Sequence, residues 1–289
     1  MKIAIVGSSG YIAKHLMKAF SEQLPGCEIV KIDMVGEVDL PLQLTAPAEF
    51  EYNKLKGIDY VIFTAAISGP DMCANEFDKC WDINVTGTSY FIREAITRGV
   101  KVLFFSSDAV FGDISGHIYD EDSETQAYTA YGKMKKTIED EFKSSSLFKC
   151  IRLSYVASAN DKFISYCLSC IRNGETADIF HPFYRNTTTV SDVIKTIIWL
   201  LNNWSTFDSF VLDVTGTELV SRVRMADELN RYFGNKLKYV VSKPDESFFK
   251  NRPQVTQMKS KYLYKLGIVE EKSFTEKFQK ELESINLLY

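Results

Sequence analysis

The sequence predicts an α/β fold, a doubly wound parallel sheet with a smaller C-terminal substrate lobe, on three observations. In the first half, short apolar runs rich in β-branched residues alternate with longer segments of helical period. That is the pattern of βαβ units whose parallel strands are buried on both faces. The first such run passes directly into a glycine-containing turn that opens a helix. The 289 residues, 45% hydrophobic and 25% charged, suffice for one large domain or two modest ones around a sizeable core.

Taken in order, the strands are expected at Lys2–Val6, Glu28–Asp33, Asp59–Thr64, Lys101–Ser106, Lys149–Leu153 and Phe210–Val214. Helical patterns fill the gaps at about 11–23, 47–56, 73–98 and 130–145. Because βαβ crossovers are right-handed, this order places a site at the carboxyl ends of the strands. After about residue 155 the pattern loosens into a helix near 161–173, a loop at 174–190, a long helix at 191–203 and a mixed tail. The expected division is residues 1–160 plus about 186–216 for the sheet domain, with about 161–185 and 217–289 forming the lobe.

Composition narrows the function. Lys plus Arg is 34 and Asp plus Glu is 38, so the net charge of −4 and the lack of any like-charged block argue against nucleic-acid partners. The three histidines, His15, His117 and His181, lie far apart, and no Cys/His cluster has zinc-site spacing, so no metal is expected. No window approaches the ~18 apolar residues of a membrane span. The opening Met-Lys-Ile-Ala-Ile-Val-Gly lacks a signal-peptide pattern, and a cytoplasmic chain is expected. The six cysteines read as reduced, buried small hydrophobes, including the Cys167/Cys170 pair, whose spacing fits one face of an apolar helix.

Gly7-Ser8-Ser9-Gly10-Tyr11-Ile12-Ala13 has the features of a phosphate-binding turn. Its glycines let a pyrophosphate approach the backbone, and the helix that follows presents free N–H groups and a partial positive charge. The second strand ends in Asp33, 23 residues beyond Gly10, near the distance at which a carboxylate accepts hydrogen bonds from an adenosine ribose. An acid there repels a 2′-phosphate, and no Arg lies in the turn or directly after Asp33, so NAD(H) is favoured over NADP(H).

The strand ending Phe-Phe-Ser106-Ser107-Asp108 is followed by a helix that begins near Tyr131-Gly-Lys-Met-Lys135. Tyr and Lys at i and i+4 share a helix face, so the ammonium lies beside the phenol and favours its ionised form. Moving a phenol from about 10 to about 7 takes roughly 4 kcal/mol of differential stabilisation, which a lysine and a nicotinamide cation together could supply. Tyr128 competes as the acid/base, but four residues beyond it stands Gly132 rather than a lysine.

These segments resemble the extended, nucleotide-sugar-modifying branch of the short-chain dehydrogenase/reductase superfamily, the NAD-dependent epimerase/dehydratase family, on a Rossmann sheet. Ala13 replaces the third glycine of that branch's pattern. The resemblance implies catalytic roles for Ser107, Tyr131 and Lys135. It also implies cofactor contacts from Gly7, Ser9, Gly10, Tyr11, Ile12, Asp33, Met34, Asp39, Leu40, Thr64, Ala65, Ala66, Asn84, Ser106, Tyr131, Lys135, Tyr155 and Val156. Substrate contacts follow at Asp108, Arg185 and Arg252, the two arginines toward a nucleotide diphosphate. The family's 4,6-dehydratases carry Asp-Glu after the catalytic Ser/Thr, and its GDP-fucose-forming members a Cys two positions after the Ser; here position 109 is Ala, which disfavours both. Ser-Ser-Asp-Ala-Val-Phe and Ile-Arg-Leu-Ser-Tyr-Val (151–156) look most like segments of dTDP-4-dehydrorhamnose reductases and related 4-ketoreductases. Reduction of a 4-keto sugar is expected, with a 4-epimerase that holds NAD tightly, or a non-catalytic NAD-binding protein, as alternatives. The resemblance also implies a homodimer paired through the helices at about 73–98 and 130–145. The clusters Trp199/Trp204/Phe207 and Phe248/Phe249 read as packing rather than sugar platforms.

Overall fold

A computed structural model describes residues 1–114, 116–159 and 161–285. Its central sheet has seven strands in the order Val211–Val214, Phe148–Leu153, Lys101–Ser107, Tyr60–Phe63, Lys2–Val6, Glu28–Asp33, Leu40–Pro41. The pairings of Lys2–Val6 with both its neighbours, of Glu28–Asp33 with Leu40–Pro41, and of Tyr60–Phe63 with Lys101–Ser107 are all parallel. Six of the seven strands are those the sequence predicts, within a residue or so at each end. They are legible because burial on both faces demands uninterrupted apolar runs: Ile3, Ala4, Ile5, Val61, Ile62, Phe63, Val102, Leu103 and Phe104 have no exposed surface.

The chain divides into two compact units. The first comprises Met1–Gly112, Glu124–Arg152 and Leu200–Leu212; the second comprises Asp113–Ser123, Leu153–Trp199 and Asp213–Tyr289. In the first unit, Phe91, Ile92 and Ala95 from the helix Thr88–Thr97 and Met134, Ile138 and Phe142 from the helix Ala130–Phe142 join Phe63, Phe104 and Phe148 in one core. Trp204, also buried, packs edge-on against Tyr60 at 5.6 Å and donates its indole N–H to the Ser146 carbonyl at 3.1 Å.

The expected helix at 73–98 is broken. It runs as Pro70–Asn75, Phe77–Trp81, a π-helical turn at Asp82–Gly87 and then Thr88–Thr97. The turn brings Gly87 so near the Leu44 carbonyl that a Cβ would lie 1.9 Å from its oxygen, an approach that only glycine permits. The expected helix at 47–56 is two 3-10 turns, Pro47–Glu49 and Tyr52–Leu55.

The second unit contains a four-stranded sheet in the order Leu219–Ser221, Tyr184–Asn186, Val255–Met258, Ile118–Tyr119. Thr176–Phe180 pairs with Lys238–Ser242 in a separate two-stranded sheet, so 174–190 is largely strand rather than loop. Cys167 and Cys170 lie in the core of this unit beside Leu229, Phe274 and Phe278, and all six cysteines are free thiols. No helix among the described residues is long and apolar enough to cross a membrane.

Candidate active site

In the first unit, Gly7 adopts φ +84°, and a Cβ there would lie 2.7 Å from the Ala65 nitrogen. The Thr64 hydroxyl donates to the carbonyls of Val6 at 2.9 Å and Gly7 at 3.2 Å, closing the turn against the end of the Tyr60–Phe63 strand. Gly10 begins the helix Tyr11–Gln23 with no side-chain cap, which leaves the helix terminus to an outside anion. Ala13 is fully buried, so a small residue meets the packing demand that the third glycine of the family pattern meets. Tyr11 packs edge-on against His15 at 4.8 Å.

Asp33 is drawn into this turn. Its carboxylate accepts the Ser9 N–H at 2.8 Å through Oδ2 and the Met34 N–H at 2.7 Å through Oδ1, while the Ser9 hydroxyl donates to the Val35 carbonyl at 2.6 Å. Each carboxylate oxygen has a second lone pair with which to accept from a ribose hydroxyl. Asp39 instead spends its carboxylate on the Lys31 N–H at 2.7 Å, next to the pairing of Leu40 with Ile32. The glycine cradle, uncapped helix and carboxylate together fit the dinucleotide that the sequence implies.

Asn84 sits in the π-helical turn, 3% exposed. Its side chain accepts the Ile67 N–H and donates to the Ile67 carbonyl, both at 2.8 Å. It thereby fixes the segment after Thr64-Ala65-Ala66, and π turns recur at functional sites for such reasons.

The strand Lys101–Ser107 ends at the proposed chemistry. Ser107 Oγ donates to Asp108 Oδ1 at 3.0 Å and accepts the Ala109 N–H at 3.2 Å. Thr129 caps the helix Ala130–Phe142 through the Gly132 N–H at 3.1 Å. A Cβ on Gly132 would lie 2.0 Å from the Ala109 carbonyl oxygen, so this helix start and the Ser107–Ala109 turn are in direct backbone contact. Lys135, one turn on, donates to the Phe105 carbonyl at 2.7 Å and lies 5.6 Å from the centre of the Tyr131 ring. Tyr128 is 40% exposed.

Burial shifts both members of the Tyr131–Lys135 pair. Burial raises the Tyr131 phenol above its usual value, with Cys73 and Asp108 adding to the effect. Burial lowers Lys135 to about 7, opposed chiefly by Glu139. Desolvation is the largest cause at both groups.

Glu139 is a residue that sequence reasoning missed. It is 2% exposed, accepts from Ser106 Oγ, and forms a buried fork with Arg152, whose Nη2 reaches Oε2 at 2.7 Å and whose Nε lies 3.1 Å from Oε1. Its position four residues after Lys135, repeating the Tyr131–Lys135 interval, was the available signal.

The remaining expected contacts lie in the second unit. The Tyr155 hydroxyl donates to Asp161 Oδ1 at 2.7 Å and accepts from Arg222 at 3.0 Å, and Val156 pairs with Thr188. Arg185 donates to the carbonyls of Tyr184 at 2.6 Å and Pro253 at 2.7 Å. Arg252 lies over the Phe248 ring at 4.1 Å.

A curated relative, the spore coat polysaccharide biosynthesis protein SpsK of Bacillus subtilis (strain 168), is 24% identical over 253 residues, which is 81% of this chain and 85% of that protein. Two solved structures share the fold at 20% identity. A dTDP-4-dehydrorhamnose reductase from Bacillus anthracis in complex with NADP gives a TM-score of 0.84 over 98% of this chain and 99% of that one. A UDP-glucuronic acid 4-epimerase from Bacillus cereus in complex with UDP-glucuronic acid and NAD gives 0.77 over 100% of both. The family described as RmlD substrate binding domain matches residues 1–287, and over that span the chain belongs to it, on the extended short-chain dehydrogenase/reductase fold.

Proposed function

We propose that this protein reduces a nucleotide-activated 4-keto sugar, using NAD(H) in preference to NADP(H). The observation that carries this reading is the backbone contact at Gly132, which sets Tyr131 and Lys135 against the Ser107 turn. The turn at Gly7–Gly10 with Asp33 is the dinucleotide seat, and the Asp33 carboxylate disfavours a 2′-phosphate by like-charge repulsion.

When bound, the nicotinamide cofactor supplies hydride to the carbonyl carbon. Ser107 turns its hydroxyl from Asp108 to the carbonyl oxygen and orients it. Tyr131 gives its phenolic proton to the oxygen as negative charge develops there, and recovers a proton from solvent. Lys135, anchored by the Phe105 carbonyl, compensates the transient phenolate. One carbonyl thus becomes one alcohol, with hydride on carbon and a proton on oxygen.

The test follows oxidation of NADH and of NADPH by the purified protein supplied with a nucleotide 4-keto sugar. Stoichiometric oxidation with NADH preferred is expected, and Tyr131→Phe lowers kcat by about 10²- to 10⁴-fold while dinucleotide affinity stays within about twofold. Full activity in Tyr131→Phe would remove the mechanism. Interconversion of 4-hydroxy epimers without net change in the cofactor would make the protein an epimerase instead.

A further inference from the structure

The helix Ala130–Phe142 carries three ionisable groups at intervals of four residues, Tyr131, Lys135 and Glu139, which share one face. Only the first two take part in the proton transfer proposed above. Glu139 is 2% exposed, and a carboxylate so far from water is costly unless its charge is matched. Its partners come from two neighbouring strands. Arg152, on Phe148–Leu153, forks onto it with Nη2 2.7 Å from Oε2 and Nε 3.1 Å from Oε1. Ser106, on Lys101–Ser107, donates its hydroxyl to Oε1.

The Ser106 contact leads back to Lys135. The ammonium donates to the Phe105 carbonyl at 2.7 Å, and that carbonyl belongs to the peptide joining Phe105 to Ser106. One peptide unit is thus held from two sides, by the ammonium at its oxygen and by Glu139 through the Ser106 side chain, and Ser107 follows directly. Burial opposes the charge on Lys135. Glu139 is the largest influence in its favour, followed by Cys73 from the helix Pro70–Asn75 and Cys150 from the strand Phe148–Leu153. Of these three, Glu139 alone is a carboxylate, and Cys73 is pushed up to about 12 by burial, which keeps it an uncharged thiol at neutral pH. Burial likewise raises the Tyr131 phenol, and Phe104 presents its ring 4.4 Å from the ammonium. Arg152 brings a second cation to the cluster, paired with Glu139 by the fork. We propose that Glu139 is a positioning residue for Lys135: through Ser106 it fixes the peptide whose carbonyl anchors the ammonium, and its carboxylate supplies the negative charge that lets a cation stand beside Tyr131 out of water. This inference rests on the roles given above to Tyr131 and Lys135.

NMR of the full chain labelled at lysine Cε tests it, with the Lys135 signal identified by its loss in Lys135→Met. Because Glu139 favours the ammonium, Glu139→Gln is expected to lower the Lys135 titration midpoint by roughly half a pH unit or more. Half a unit makes the charged fraction roughly threefold smaller above the midpoint. With NADH and a nucleotide keto sugar, kcat at pH 8 is expected to fall by about that factor and to return toward the wild-type value as the pH drops, since Lys135 must be charged to compensate the phenolate. Glutamine leaves Arg152 buried without its counter-charge. If that chain does not fold, Glu139→Gln combined with Arg152→Met removes both charges together and is read in the same way. An unchanged midpoint in a folded variant would overturn the proposal, as would a kcat lowered by one factor at every pH, the mark of a purely structural brace. A wild-type chain that oxidises no NADH with a keto sugar would overturn the reduction reading instead, and the midpoint, measured without substrate, would still decide the role of Glu139.

Discussion

Lys135 carries a charge that its surroundings oppose. It is 3% exposed, and burial lowers its ammonium to about 7, against 10.5 for the free side chain. Between those values the unfolded chain binds the proton more readily than the folded one, so stability rises with pH through this window and is flat with respect to this group below it. Lys135→Met is expected to be more stable than the wild type at pH 7, by a few kcal/mol at most, and to lose the part of the pH slope that lies between about 7 and 10.5. Urea titrations of both proteins at several pH values read this directly, and parallel curves would refute it. The Y-x-x-x-K spacing was legible in the sequence, but the state of its protons was not. Periodicity reports which face a residue occupies, whereas the environment of Tyr131 and Lys135 is set by the Phe104 ring, the Phe105 carbonyl and the charge effect of Cys73, contributed by other elements.

The helix Ala130–Phe142 concentrates the consequences of one glycine. Because a Cβ at position 132 meets the Ala109 backbone oxygen at 2.0 Å, Gly132→Ala must push the helix start away from the Ser107 turn. Overpacking of this kind costs about 1–3 kcal/mol, and displacement of the neighbouring Tyr131 is expected to lower kcat at least tenfold. A lowered Tm together with retained NADH binding is the expected signature, whereas a variant with wild-type Tm and kcat would show that the contact is slack. The same helix supplies Glu139 to Arg152 and Ser106, so one face braces two strands of the sheet. That brace was illegible because its partners are set by strand order rather than by sequence separation. Likewise, an Arg inside the apolar run Cys150–Leu153 gave no sign of which carboxylate it would meet. The π-helical turn at Asp82–Gly87 escaped for a related reason: its Gly87 answers to the carbonyl of Leu44, far upstream in the sequence.

Across the whole molecule, the parallel strands of the sheet were legible while most of the second unit was not. Buried parallel strands announce themselves as apolar runs, but Ile118–Tyr119 and Val255–Met258 are short strands whose pairing joins segments about 140 residues apart. The two units are interleaved along the chain, and the first is completed late. Cys150 donates its N–H to the Phe210 carbonyl at 2.8 Å, the Lys149 ammonium reaches the Ser209 carbonyl at 2.8 Å, and the Tyr60 hydroxyl reaches the Leu201 carbonyl at 2.9 Å. A chain ended at residue 199 forfeits all three and exposes Phe148–Leu153 as a sheet edge. It is expected to aggregate and to unfold without a cooperative transition, as size-exclusion chromatography and denaturant titration would show; a monomeric, cooperatively folded fragment would contradict this. The position of Val211–Val214 at the sheet edge also sets a clock during synthesis. At ~5–20 residues per second, the ribosome needs roughly 3–12 s to advance from the end of one edge strand to the start of its partner. Throughout that interval the nascent sheet waits with an open apolar margin, so slower translation through 154–210 lengthens the time in which neighbouring nascent chains can pair there.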